Sequence, residues 1–309
     1  MALLTKSSSH GGCRRAAFAV IFLSPEKGLR DMPSSLSINA FDPTSIKREK
    51  NGNIARKFAF IGGSGRGKTT GMLGIISHLA PEIDMCILMC PTETTRNVFR
   101  TRGLPESLIY PGLDLECIAA LLAAQRENKE RGKTRSILLC MDDCSYEKKS
   151  FSDPRVRELM YNQRHLNICT VLSAQFCYDL PPCCRSNLDY IFCTGDSAFS
   201  NVKRLHSAYF GVFRTVQDFH RVFQATTRDF SLCVADCTQV AESPTDQVFW
   251  YRAPKKVPKF TICSPVYQKL EARRQLQLKQ TENDPNRPVI VSATDTGTET
   301  LRRVLIDAI

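Results

Sequence analysis

Residues 58–72 read "FAFIGGSGRGKTTGM". An apolar run reaches a stretch of glycine, serine and arginine, then Lys68-Thr69-Thr70, after which apolar residues resume at helical spacing. The stretch satisfies G-x-x-x-x-G-K-[ST] as Gly62-Gly63-Ser64-Gly65-Arg66-Gly67-Lys68-Thr69, with Thr70 next. Glycines in such a loop let the backbone turn its N–H groups inward around an anion, and the following helix adds the positive end of its dipole. Lys68 is expected to reach the β- and γ-phosphates and the Thr69 hydroxyl to ligate Mg²⁺. A chance match in a chain this long is on the order of 1%, and this one has the strand before and the helix after that the motif requires. The loop is therefore expected to hold nucleotide phosphates, with ATP and Mg²⁺ as cofactors.

Working outward, Phe58–Gly62 reads as a short buried strand and Lys68–Leu79 as a helix stopped by Pro81. Strands are expected at Met85–Cys90, Ser136–Asp143, Asn167–Gln175 and Leu188–Gly195. Between them, an amphipathic helix runs from Leu113 to about Arg131 after a loop. Another covers "DPRVRELMYNQRH", with Pro154 in its first turn. Helical segments around Asn201–Phe210 and Thr215–Thr226 precede the strand-like "FSLCVAD" and "QVFWYR". Strands alternating with helices predict an α/β fold, a parallel sheet with helices on both faces. The organisation read from composition is an arm at 1–37, one domain at 38–254 and a basic appendage at 255–309, which holds "APKKVPKF" and "KLEARRQLQLK".

Two further segments carry chemistry. In "ILLCMDD" the apolar residues bury a strand and deliver Asp142 to its C-terminal edge, where an open α/β sheet keeps its site. Asp142 is expected to hold Mg²⁺. Asp143 is placed to polarise an attacking water, its bland alternative being a cap on the next segment. Glu93, just past the second strand, is the fallback for that role. In "TVLSAQ", Gln175 ends an apolar strand and could contact the γ-phosphate or the water, or merely cap the strand exit.

The 309 residues suffice for a full core, 42% of them are hydrophobic, and the formal charge is +11. Such a field attracts polyanions. The 14 cysteines include no C-x-x-C and many sit inside apolar runs, so they read as small core residues in a reducing compartment rather than zinc ligands or a disulfide framework. No apolar stretch reaches the roughly 18 residues of a membrane span. After Cys13-Arg14-Arg15, the run Ala16–Leu23 lacks the cleavage site of a signal peptide and reads as an arm or added strand.

Together, "GGSGRGKTT", "ILLCMDDC", "NQRHLNICTVLSAQF", "LPPCCRSNLDYIF" and "DFSLCVAD…VFWYRA" resemble the poxvirus-type genome-packaging ATPases of large double-stranded DNA viruses, in the FtsK–HerA superfamily of P-loop NTPases. The resemblance covers roughly residues 38–254. It implies a RecA-like sheet of the ASCE type, with an extra strand between the Walker A and Walker B strands. It also implies a homo-oligomeric ring, typically a hexamer, that hydrolyses ATP and pumps double-stranded DNA into a preformed capsid. Capsid or portal-vertex proteins would be its partners, and the virion or the assembly site in host cytoplasm or nucleus its location. In such rings an arginine commonly completes a neighbour's site; Arg185 in "CCRSN" and Arg164 in "NQRHL" are the candidates, Arg185 favoured. Two positions depart from the pattern. Arg66 stands where a small residue is more usual, and the second Walker B acid is Asp143 where many members have Glu. Two other readings stay open: a nucleotide-regulated scaffold module with little turnover, and a P-loop small-molecule kinase.

Overall fold

The computed structural model describes residues 17–21, 35–133, 135–146 and 151–282. The rest of the arm and the tail from residue 283 lie outside the described residues. Among the described residues ten strands form two sheets. The small one pairs β1 (Ala17–Ile21) antiparallel with β2 (Ser35–Asn39), so the arm does supply an added strand. The large one is ordered β10-β9-β8-β3-β7-β6-β4-β5. Its members are β3 (Lys57–Ile61), β4 (Met85–Met89), β5 (Ile109–Tyr110), β6 (Ile137–Asp142), β7 (Ile168–Ala174), β8 (Tyr190–Thr194), β9 (Leu232–Asp236) and β10 (Val248–Tyr251).

Every residue of β3, β4, β6, β7 and β8 is buried. Successive strand side chains point to opposite faces, so both faces of the sheet are covered, as expected of a parallel sheet. The longer helices among the described residues are α1 (Lys68–Leu79), α2 (Glu93–Arg100), α3 (Leu115–Glu130), α4 (Pro154–Asn162), α5 (Phe199–Tyr209), α6 (Val216–Thr226) and α7 (Pro265–Glu282). The core is rich in aromatic rings stacked across neighbouring strands. Phe60 lies 4.7 Å from Phe192 and Phe58 lies 5.3 Å from Tyr190, centroid to centroid. Each such burial contributes about 1.5–3 kcal/mol.

From β8 to β5 the six strands are parallel, and β7 lies between β3 and β6, the extra-strand position. The other two differ from a purely parallel sheet. Two helices, α5 and α6, separate β8 from β9, and an even number of traverses returns the chain to the edge where β8 ended. β9 therefore runs antiparallel to β8. Only residues 237–247 join β9 to β10, too few for a helical crossover, so β10 turns back antiparallel again. Its free edge is partly shielded by the chain after β2, where the Phe41 amide donates to the Trp250 carbonyl at 2.7 Å.

Packing crosses the boundary expected at 254/255. Ile262, Cys263 and Tyr267 are buried in the core, the Ile262 amide donates to the Arg102 carbonyl and the Ser264 amide to the Asp84 carbonyl. The basic run is thus a strap followed by α7, docked on the domain rather than appended to it. The segment 93–100, expected as loop, is α2. Among the described residues no helix is long and apolar enough to cross a membrane.

Candidate functional site

The C-terminal ends of the parallel strands converge on a cleft of about 960 Å³. The chain leaves β3 through Gly62, whose φ of 149° and surroundings both exclude a side chain: a Cβ there would sit 1.8 Å from Thr194 Oγ1. Gly65 and Gly67 also have positive φ, 72° and 91°, the conformation glycine adopts without steric cost. Gly67 starts α1 in place of a side-chain cap, so the first amides of α1 stay open toward the cleft. Gly63, Ser64, Gly65, Gly67, Lys68, Thr69 and Thr70 line it.

Lys68 is 6% exposed. Its ammonium donates to the Gly62 carbonyl at 2.6 Å and the Gly63 carbonyl at 3.3 Å, and stands 4.0 Å from Asp143 Oδ1. The cation is thus folded back on the carbonyls of its own loop. Arg66 does not line the cleft. Its guanidinium donates to the Gly195 carbonyl and lies 3.8 Å from Asp196, so it braces the loop against the exit of β8.

Asp142 ends β6 at 3% exposure, and its carboxyl pKa is raised above the ordinary value, first by burial and then by the Asp143 charge, partly offset by hydrogen bonding to Ser173. The Cys90 thiol approaches its Oδ2 at 3.5 Å; burial pushes that thiol to about 12, with the Asp142 charge adding to the rise. Asp143 follows at φ 50°, held by its amide on the Ser173 carbonyl (3.2 Å) and by the Ser173 hydroxyl on Oδ1 (3.4 Å). The left-handed turn swings the second carboxylate out to partial exposure beside Lys68 while the first stays within. Asp142 and Thr69 both line the cleft, and a carboxylate with a hydroxyl is an oxygen donor set that fits a hard divalent cation.

Other predicted residues fall elsewhere. Glu93 does not line the cleft; it pairs with Arg96 and Arg100, which hold its carboxyl below the ordinary range. Gln175 is exposed just beyond β7 and lines a shallow recess behind the loop with Gly62, Asp196 and Arg204, not the cleft with Lys68. Arg164 precedes β7 and so sits at the opposite, N-terminal edge of the sheet. It is ion-paired to Asp189, a carboxylate 1% exposed that also accepts from the Lys57 amide. Arg185 ends a one-turn helix, Pro182–Arg185, donates to the Leu180 carbonyl at 2.6 Å and lies over the Tyr178 ring at 4.7 Å.

Sequence reasoning missed the far wall. Thr92, Thr94 and Thr95 reach the cleft from the β4–α2 corner, which Arg96 fixes by donating to the Cys90 and Pro91 carbonyls. Asp229, Phe230 and Arg252–Lys255 arrive from the β9–β10 hairpin. Nothing local marks these as site residues; the available signal was the short β9–β10 connection, which forces both ends of the hairpin to one edge.

A family model described as Poxvirus A32 protein matches residues 44–210. Uncharacterized protein L437 of Acanthamoeba polyphaga mimivirus is 33% identical over 210 residues, 65% of this chain and 73% of that protein. Uncharacterized protein 088R of Invertebrate iridescent virus 3 is 25% identical over 235 residues, 76% of this chain and 89% of that one. Among solved structures, B204, the DNA-packaging ATPase from Sulfolobus Turreted Icosahedral Virus, aligns at TM-score 0.46 and 16% identity, covering 65% of this chain and 98% of that chain.

Proposed function

This chain belongs to the Poxvirus A32 protein family, and from that premise we propose that it is a genome-packaging ATPase, hydrolysing ATP to move double-stranded viral DNA into a capsid. The observation that carries the reading is the meeting, at one sheet edge, of the glycine loop, Lys68 and the Asp142–Asp143 pair, with Lys68 and Asp143 4.0 Å apart. A small-molecule kinase needs the loop but has no use for the second acid. A purely regulatory module has no use for a water-activating group at all.

In this reading Lys68 leaves the Gly62 and Gly63 carbonyls for the β- and γ-phosphates, and the loop and α1 amides hold the remaining charge. Thr69 and Asp142 would hold Mg²⁺, which when bound neutralises phosphate charge. Asp143 takes a proton from the attacking water at a carboxylate oxygen as the new P–O bond forms and the bond to the β-phosphate oxygen breaks. Gln175, behind Gly62, is assigned to positioning the loop rather than to the phosphate itself. Arg185, with the exposed Tyr178 ring against it, is offered to a neighbouring subunit of a ring. The charge of +11 suits a motor that grips phosphates of any sequence.

The test is ATP turnover by the purified full chain, with and without duplex DNA of unrelated sequences. The expected result is turnover stimulated by every duplex, with DNA affinity falling steeply as salt rises. Nucleotide binding without turnover would favour the scaffold reading, and phosphate transfer to a small acceptor the kinase.

A further inference from the structure

The cleft extends well past the loop that would cradle phosphates, and its far end is built around one unusual side chain. Phe230 is 73% exposed, although it immediately precedes Ser231 and the buried strand β9. Its ring stands at the end of the phosphate loop, with Cδ1 3.7 Å from where a Cβ on Gly67 would lie. Phe230 has φ 61°, and Asp229 before it has φ 52°. A left-handed conformation is rare for a bulky residue, and two in succession persist only where the surroundings enforce them.

One contact reaches the turn from the neighbouring strand. Arg252, one residue past β10, donates to the Asp229 carbonyl at 2.8 Å and pairs with its carboxylate at 3.2 Å. The register Tyr251↔Leu232 puts Arg252 and Phe230 at the same end of the hairpin. Ala253 and Pro254 then continue along the cleft wall. The chain thus spends backbone strain, and an ion pair that fixes it, on holding an aromatic face open to water beside the phosphate loop. Core packing does not ask for this, since the ring is mostly outside the core.

We propose that Phe230 is the stacking shelf for the base of the bound nucleotide, held in place by Arg252 through Asp229. The inference rests on the nucleotide reading of the cleft and adds its base-binding half. A flat aromatic face takes any base through its π-surface, so the shelf supplies affinity with little discrimination among bases.

The test compares ATP with inorganic tripolyphosphate, each titrated with Mg²⁺ into the full-length protein. Phe230→Ala is expected to weaken ATP by about 5- to 150-fold, the range for loss of one base–aromatic stack, and to leave tripolyphosphate unchanged. Phe230→Trp, which keeps a stacking face, should restore ATP affinity. Arg252→Ala should weaken ATP alone, by less. Because Phe230 is exposed, the unfolding midpoint of Phe230→Ala should stay near wild type. Equal loss for both ligands would overturn the proposal and make Phe230 a prop for the loop. Unchanged ATP affinity, with any effect confined to self-association, would overturn it in favour of a contact to a second copy of the chain. In both cases wild-type turnover of ATP leaves the nucleotide reading intact. A wild-type protein that binds neither ligand would bring down both.

Discussion

Lys68 and Asp143 stand 4.0 Å apart, but the two charges are set differently and should fail differently. Lys68→Ala removes the charge-assisted hydrogen bonds a phosphate would receive, worth about 1.5–3 kcal/mol, so ATP affinity should fall roughly 10- to 150-fold in an equilibrium titration. Asp143→Asn is a cleaner probe than alanine, because asparagine also tolerates the left-handed φ of 50°. It should bind ATP nearly as well as wild type while single-turnover hydrolysis drops about 10²- to 10⁴-fold, the usual share of a positioned base. Wild-type hydrolysis in Asp143→Asn would move the water-activating role to another group, and Glu93, committed to Arg96 and Arg100, is poorly placed to inherit it. This half of the site was legible in the sequence because each part is a local pattern at a strand's end. Phe230 and Arg252 were not, because they meet only through the pairing of β9 with β10. Arg164 is set at the far edge of the sheet by its place just before β7, and its ion pair with Asp189, in a different segment, was the part the sequence did not show.

Among the elements, α1 must sit unusually close to the β9–β10 hairpin, and its glycines allow it. A Cβ on Gly71 would meet Leu232 Cδ1 at 3.1 Å, and one on Gly74 would meet the Tyr251 hydroxyl at 2.4 Å. Gly74→Ala gains about 1 kcal/mol of helix propensity but overpacks this contact, at a cost of about 1–3 kcal/mol; the net should be a lower urea midpoint. Among the described residues the buried Tyr251 hydroxyl has no hydrogen-bond partner, so Tyr251→Phe alone should be neutral or mildly stabilising. The pair Gly74→Ala/Tyr251→Phe should then exceed wild type, a coupling that a double-mutant cycle measures directly. Purely additive effects would mean the helix shifts instead of clashing. The positions of the main strands along the chain and the placement of α1, α3 and α4 followed from apolar runs and periodicity, whereas the place of β7 between β3 and β6 was implied only by the family resemblance. α2 did not, since "ETTRNVFR" carries two threonines, buries only Thr95 and Phe99, and is laced by Arg–Glu pairs rather than by an apolar stripe. The antiparallel hairpin was hidden because periodicity marks a strand but not its direction.

For the whole molecule, the proposed ring places a specific demand on one side chain. Arg185 is held by the Leu180 carbonyl and the Tyr178 ring, and that ring is nearly half exposed. If it completes a neighbour's site, Arg185→Ala subunits should bind ATP yet hydrolyse it poorly. Mixing them with Lys68→Ala subunits, which lack a working loop but keep Arg185, should restore turnover. A mixture that co-assembles and stays inactive removes Arg185 from that role. The sheet order has a further consequence, for the order in which the protein can come into being. Both neighbours of β3, namely β7 and β8, are encoded long after it. The roughly hundred residues from Ile61 to Ile168 take about 5–20 s to synthesise at about 5–20 residues per second. For that interval the strand bearing the phosphate loop has no partner on either side, while β4 and β6 can already pair with each other. The nascent chain therefore carries two unfilled strand edges out of the ribosome and closes its centre only after β4, β5 and β6 have been made, a window in which chaperones, or a second nascent copy, have access to what the finished sheet conceals.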